Sequence, residues 1–315
     1  MRLPLIVMWH GLKLKSLFGA FLLVPKSVEN VIVDSFELVK ENYPKFILIY
    51  LLIGAVSVVV VLVFAALVLL GFAGGLALGN IELIVGTVVV GLIILFLMAP
   101  LWAGAYYSMV LQELDSKRVS IFDAIGTAKA SYLNLLLTMF LQGVIYLVVF
   151  GAILLPLVWP VLALINNGVG TSISQALAGQ LLRLLLIGIL VFVGLLIAAL
   201  VLVPLLYEAT ALVVLEGLNG VDAVRRSIEI GRENFWKIVW LMTVFGLAVG
   251  MIYVVEWIVA AVFGVIGQVL GVVVGAVLSV LVASFVAAWT YALQIVFYRE
   301  FVGRGKRRSL QNTNN

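Results

Sequence analysis

Apolar and polar positions alternate on a long period along the 315-residue chain. Six apolar runs, near 46–72, 82–112, 133–161, 181–207, 236–262 and 270–297, are separated by short polar connectors. Each run exceeds the ~20 residues that a helix rising ~1.5 Å per residue needs to cross a bilayer core. None shows the period-two alternation of a membrane β-strand. Helices are the other structure whose backbone is satisfied in lipid, so the pattern predicts six transmembrane helices.

A second, shorter pattern precedes the runs. In Val28–Asn42 the apolar positions Val28, Val31, Ile32, Phe36 and Val39 share one face of a 3.6-period helix, and Glu29, Asn30, Asp34, Glu37, Lys40 and Glu41 take the other. Residues 220–233 repeat it, with Val221, Val224, Ile228 and Gly231 opposite Asp222, Arg225, Glu229, Arg232 and Glu233. The two stretches are also alike residue by residue. Ser35-Phe-Glu-Leu-Val-Lys-Glu-Asn-Tyr-Pro-Lys45 returns as Ser227-Ile-Glu-Ile-Gly-Arg-Glu-Asn-Phe-Trp-Lys237. A degenerate middle copy runs from Phe122 to Ala130, with Ala128 at the serine position. The returning runs echo one another at Pro100-Leu-Trp-Ala-Gly-Ala-Tyr106, Pro204-Leu-Leu-Tyr-Glu-Ala-Thr210 and Phe285-Val-Ala-Ala-Trp-Thr-Tyr291. These repeats predict an all-α integral membrane protein of three hairpins, over 27–114, 117–218 and 219–299, each preceded by an amphipathic interfacial helix. A basic interfacial segment over 1–26 and a basic, then polar tail over 303–315 flank them.

Composition agrees with the pattern, and charge orients it. The chain is 65% hydrophobic, against roughly 45–50% for soluble domains. All of the 19 Lys and Arg residues except Arg183 fall in the N-terminal segment, two connectors or the tail, which the span order places on one side. The positive-inside rule makes that side, and both termini, cytoplasmic in a multi-pass protein of the cell membrane. No small-residue cleavage site follows the first apolar patch, so residues 1–26 do not read as a signal peptide.

Within the repeated segment, Asn42 and Asn234 are expected to end their helices in the left-handed conformation that Asn tolerates, with Pro44 opening the next helix. Glu37, Glu41, Glu229 and Glu233 then face solvent, Ser35 and Ser227 face inward, and Lys45 and Lys237 snorkel to anionic headgroups. Glu41 with Lys45, and Glu233 with Lys237, are spaced for ion pairs along a helix. The segment reads as an interfacial elbow that contacts lipid or a protein partner. In the sixth run Gly267, Gly271, Gly275, Ser279 and Ala283 recur every four residues, a row that lets helices approach closely. Gly246 and Gly250 are the expected partners within the bundle, and a homo-oligomer seam is the other use of such a row. Glu82, Arg183 and Glu256 fall near the opposite interface, suited to an interfacial cluster of charges. Glu208, near the end of the fourth run, is the best candidate for a buried acid. Gln142, Tyr146, Tyr253, Thr290, Tyr291 and Gln294 supply interhelical hydrogen bonds.

Catalytic patterns are missing from the sequence. There is one histidine, His10, and no cysteine, which excludes disulfides and thiolate chemistry. No GxSxG, HExxH or phosphate-cradling loop is present. No cofactor or metal site is expected, and the Arg304–Arg308 run suits anionic lipid better than nucleic acid.

Val213-Val-Leu-Glu-Gly217 followed by Gly220-Val-Asp-Ala-Val-Arg-Arg-Ser-Ile-Glu-Ile-Gly-Arg-Glu-Asn-Phe-Trp-Lys237 resembles a broad prokaryotic group of polytopic proteins. These are similar to the membrane domain fused to some glycerophosphodiester phosphodiesterases and to its stand-alone relatives. The resemblance is clearest over 210–245, weaker over 27–50, and implies architecture alone, since that domain carries no catalytic residues. The expected function is therefore a non-enzymatic scaffold, or a component that binds lipid or a partner through its cytoplasmic helices. A small transporter or lipid exporter, with its path between hairpins, is the alternative.

Overall fold

The computed structural model describes residues 27–52, 81–115, 120–166 and 175–303, and it is all-helical over them. The first predicted span and both terminal segments lie largely or wholly outside these residues. Helix α1 covers 27–52 and α2 Ile81–Leu114. They are followed by α3 (Ile121–Asn166), α4 (Gln175–Leu206), the short α5 (Ala209–Leu215), α6 (Gly220–Glu233), α7 (Phe235–Ile266) and α8 (Gln268–Phe297). A π-helical turn, Tyr298–Gly303, closes the described chain. Among the described residues five helical segments are long and apolar enough to cross a membrane: Leu92–Leu114, Ile121–Val158, Leu185–Leu215, Phe235–Ile266 and Gln268–Gly303. Their large exposed side chains, such as Leu147, Leu190, Phe192, Val255 and Val273, suit a lipid environment.

Packing is concentrated at one end of the bundle, the end that carries the charged connectors. Three surface segments each lie along the end of a different returning helix there. On α8, Trp289 Nε1 donates to Ser35 Oγ of α1 at 3.0 Å, and Phe36 stands edge-on to both Phe285 and Trp289. On α2, a Cβ added to Gly104 would sit 2.8 Å from the Ala128 backbone of α3. On α4, Ser227 Oγ of α6 donates to the Leu205 carbonyl at 2.9 Å. Ser35, Ala128 and Ser227 occupy the same position of the repeated pattern, and all three are buried. Inside these contacts the ends of α2, α5 and α8 meet. Tyr106 stacks on Tyr291 at 5.0 Å, Tyr107 meets Tyr291 edge-on at 4.8 Å, and Tyr107 Oη lies 2.8 Å from Thr210 Oγ1. The core is thus an aromatic plug at the charged end.

The elbow differs from expectation in both copies. In α1 the helix runs straight through Asn42 and Pro44. The bond that proline forfeits would have used the Lys40 carbonyl, and Lys40 and Pro44 both lie on the exposed face, so the lost bond is not a buried one. Asn234 does interrupt the helix, but at φ −117° and ψ 20° rather than in the left-handed region. The backbone ladder carries on across it, from Asn234 N to Ile230 O and from Ile238 N to Asn234 O, each at 3.0 Å. The middle copy has no break, and α3 is one helix of 46 residues. At ~1.5 Å per residue it is about twice as long as a bilayer core is thick, so one end extends beyond it.

The side chains of the two elbows make the same bonds. Asn42 Nδ2 donates to Leu38 O at 3.3 Å and Asn234 Nδ2 to Ile230 O at 3.2 Å. Lys45 donates to Asn42 Oδ1 at 2.8 Å and Lys237 to Asn234 Oδ1 at 3.0 Å. The two lysine ammonium groups thus each donate to the asparagine three residues before them. Lys45 pairs with Glu113 of α2 at 3.5 Å, not with Glu41, and Lys237 lies 4.4 Å from the Phe301 ring centroid rather than pairing with Glu233.

The α7–α8 hairpin turns tightly at Gly267, so residues nearly equidistant from it face one another. Gly271 meets Gly264, Gly275 meets Ala260, and Ser279 donates to Glu256. This register corrects the partner of the small-residue row. Gly246 and Gly250 lie too far from the turn to oppose it and fall level with Trp289 and Phe285. A Cβ at either, or at Gly267, would meet nothing within 4 Å. Ala283 is half-buried further along the same helix. Glu256 has a serine partner on α8, while the side chains of Glu82 and Arg183 lie outside the described ones.

Candidate functional site at a helix break

The fourth apolar run ends within a residue of where its pattern suggests, but helix resumes two residues beyond it. Pro204 removes a donor from the ladder, the chain leaves the helix at Tyr207 and Glu208, and α5 resumes at Ala209. Such a break frees carbonyls, which in an apolar setting must find other donors. Three successive ones are capped by side chains from three different helices. Ser227 Oγ of α6 donates to Leu205 O at 2.9 Å, Gln142 Nε2 of α3 to Leu206 O at 2.8 Å, and Gln294 Nε2 of α8 to Tyr207 O at 2.6 Å. The Glu208 carbonyl re-enters a helical ladder, accepting from Leu212 N at 3.0 Å. Gln294 is itself held by Tyr107, whose hydroxyl donates to Gln294 Oε1. With that proton committed, Tyr107 accepts from Thr210.

Backbone approaches backbone closely at this point. A Cβ on Gly231 of α6 would lie 2.7 Å from both Leu205 Cα and the Pro204 carbonyl oxygen. Glycine at 231 is what lets α6 come near enough for Ser227 to reach the freed carbonyl. Gly217, at φ 66°, then turns the chain out of α5 in the left-handed conformation that glycine adopts without strain. Asn219 caps α6, its Oδ1 accepting from Asp222 N at 3.0 Å.

Glu208 sits on the break with 1% of its surface exposed, and neither carboxyl oxygen has a hydrogen-bond partner among the described residues. The buried hydroxyls of Tyr207 and Tyr106 are also without one. Tyr107, Tyr207 and Tyr298 are within electrostatic reach of the Glu208 carboxyl. Tyr298 in turn donates to Glu216. Where the other two returning helices carry Gly104 and Trp289, this one presents an acid. Sequence reasoning singled out Glu208, Gln142, Tyr291 and Gln294 but not Tyr107, Tyr207, Thr210 or Trp289. The polar pair Tyr207-Glu208, three residues after Pro204 and followed by seven apolar-rich residues, was the available sign of a break.

The remaining candidates are distributed elsewhere. Ser35 and Ser227 are buried at the repeated helix contacts, while Glu37, Glu41, Glu229 and Glu233 lie on exposed faces. Glu229 bonds Arg226 at 3.0 Å, which raises the guanidinium above its ordinary range and keeps it cationic. Thr290 bonds its own helix at Val286 O, Tyr146 stacks on Phe150, and Tyr253 is exposed. An open cleft of about 580 Å³ lies beside the π-turn, lined by Asp34, Asp115, Arg299 and Glu300 among others. Arg299 pairs with Asp115 there at 2.6 Å. Among the described residues no group of three His, Cys, Asp or Glu is placed to hold a metal ion.

No curated protein and no solved structure matches the chain. The model of one family, described as a domain of unknown function (DUF7847), matches residues 93–301, a stretch that takes in the helix break, its capping side chains and the aromatic plug. That match covers well over half of the chain, and the protein belongs to this family.

Proposed function

We propose that the protein is a non-enzymatic component of the cell membrane that binds lipid or a protein partner through a cytoplasmic layer of amphipathic helices. In this reading it has six spans in three hairpin repeats, with both termini cytoplasmic. The observation that carries it is the arrangement at the charged end. The inward faces of α1, α6 and the first turns of α3 are consumed in the core, which leaves their other faces to the surroundings. Charge there is accompanied by large exposed apolar side chains: Phe122 of α3 is 87% exposed, Val221 of α6 is exposed four residues before Arg225, and Trp236 at the start of α7 is exposed four residues after Arg232. Aromatic and basic residues side by side suit the headgroup level, where rings enter the interface and cations meet anionic lipid. Three helices present polar outer faces at this end, which suits a platform better than a single catalytic cleft.

The test is lipid retention by the purified chain. Native mass spectrometry should find fewer bound anionic lipids on Arg225→Glu/Arg232→Glu than on the parent, with zwitterionic lipid unchanged. Equal retention of both lipids by parent and variant would remove the lipid-binding reading.

A second reading, a transporter with a path between hairpins, is favoured by one observation: a spanning helix is broken beside a buried acid, as in sites that handle ions or polar solutes. Its test is solute flux into proteoliposomes, with parent and Glu208→Gln compared. Flux in the parent that the variant loses supports the path past Glu208, and no flux in either ends this reading.

A further inference from the structure

We propose that Glu208 is a proton-binding site built into the helix break, holding one exchangeable proton on its carboxyl at neutral pH. Four observations converge on it. The side chain is almost completely buried, neither oxygen is hydrogen-bonded, and no Lys, Arg or His among the described residues pairs with it. Moreover, the side chains that stabilise the break donate to its backbone and not to the acid. Ser227, Gln142 and Gln294 cap the three freed carbonyls, so the break is satisfied without the acid. A bare carboxylate in such a setting is very unfavourable, whereas a neutral acid is tolerated.

The hydroxyls within electrostatic reach of the Glu208 carboxyl are those of Tyr107 from α2, Tyr207 beside it in the chain, and Tyr298 from the π-turn. Glu216 and Arg226 act on Tyr298 at the edge of the cluster. Release of the proton places a negative charge within electrostatic reach of these hydroxyls, and one that turned to donate to it would have to leave any partner it has. Tyr207 has no partner to give up. Tyr107 would surrender its bond to Gln294, the residue that holds the Tyr207 carbonyl. Loading and unloading of one proton is thereby linked to the hydrogen bonds that stabilise the break. This inference does not rest on the lipid-binding reading and is compatible with either proposed function.

Infrared spectroscopy of the full chain, in a detergent without ester groups, tests it directly. At neutral pH the parent should show the carbonyl stretch of a protonated carboxylic acid that moves on transfer to D2O, because the proton exchanges. Glu208→Gln should lose that band, and Glu208→Asp should displace it. Gln and Asp keep the polarity of the site, so at least one variant is expected to fold. An unchanged band in the folded variants, or no protonated-acid band in the parent, overturns the proposal.

Discussion

Trp289→Ala is expected to lower stability by about 3–5 kcal/mol, the usual cost of truncating a fully buried aromatic side chain. Trp289 is 1% exposed and stands where α1, α7 and α8 meet, with rings of Phe36, Phe245 and Phe285 around it at 5.3, 4.9 and 5.9 Å. Its indole N–H is also the bond that ties α8 to Ser35. Lipid tails are as apolar as the core, so the loss is mainly one of packing and of a polar contact rather than of burial from water. The control is Trp257→Ala, since Trp257 is 73% exposed on the apolar half of α7. Unfolding followed by tryptophan fluorescence or by thermal shift in detergent should move strongly for the first variant and little for the second. Comparable shifts for both would show that the charged end does not hold the bundle together.

Gly231→Ala should destabilise by about 1–3 kcal/mol, although alanine is the better helix former. The added methyl would lie 2.7 Å from two backbone atoms of the Pro204–Leu205 segment, and backbone cannot rotate aside as a side-chain end can. The helices must separate, which lengthens the Ser227 bond to the Leu205 carbonyl and uncaps the break. Gly126→Ala is the matched comparison, because a Cβ there meets nothing within 4 Å. That substitution should stabilise by up to about 1 kcal/mol through helix propensity alone. If Gly231→Ala were as stable as Gly126→Ala, the close approach of α6 to α4 would be refuted.

Much of the architecture was legible before any coordinates. Long apolar runs imply membrane helices because length and hydropathy are properties of consecutive residues. The positions of Ser35 and Ser227 were readable for the same reason: a 3.6-residue period assigns faces locally, and both serines are indeed buried. Local pattern is weaker where two outcomes cost nearly the same. Asn42 and Asn234 sit in almost identical sequences, yet one helix continues and the other is interrupted. Lys45 and Lys237 were readable as cations at a helix start, but their ends found Glu113 and Phe301, which are distant in sequence. The small-residue row was visible, but its partner depended on the register that a one-residue turn at Gly267 imposes.

The helix break shows the same division most clearly. Pro204 and Glu208 mark the place in the sequence, since a missing donor and an acid in an apolar run are both local facts. What makes the break stable is not local. Its three carbonyls are served by residues 142, 227 and 294, which only the packing of α3, α6 and α8 brings together. The sequence by itself determined that this chain is helical, with apolar runs long enough to cross a membrane and a similar polar segment before two of them, because hydropathy and periodicity act along the chain. Tertiary structure alone decided that the ends of α2, α5 and α8 join in one aromatic plug and that Glu208 is left within it unbonded. The reason is physical: partners for a buried polar group are chosen by distance in space, and separation along the chain carries no information about it.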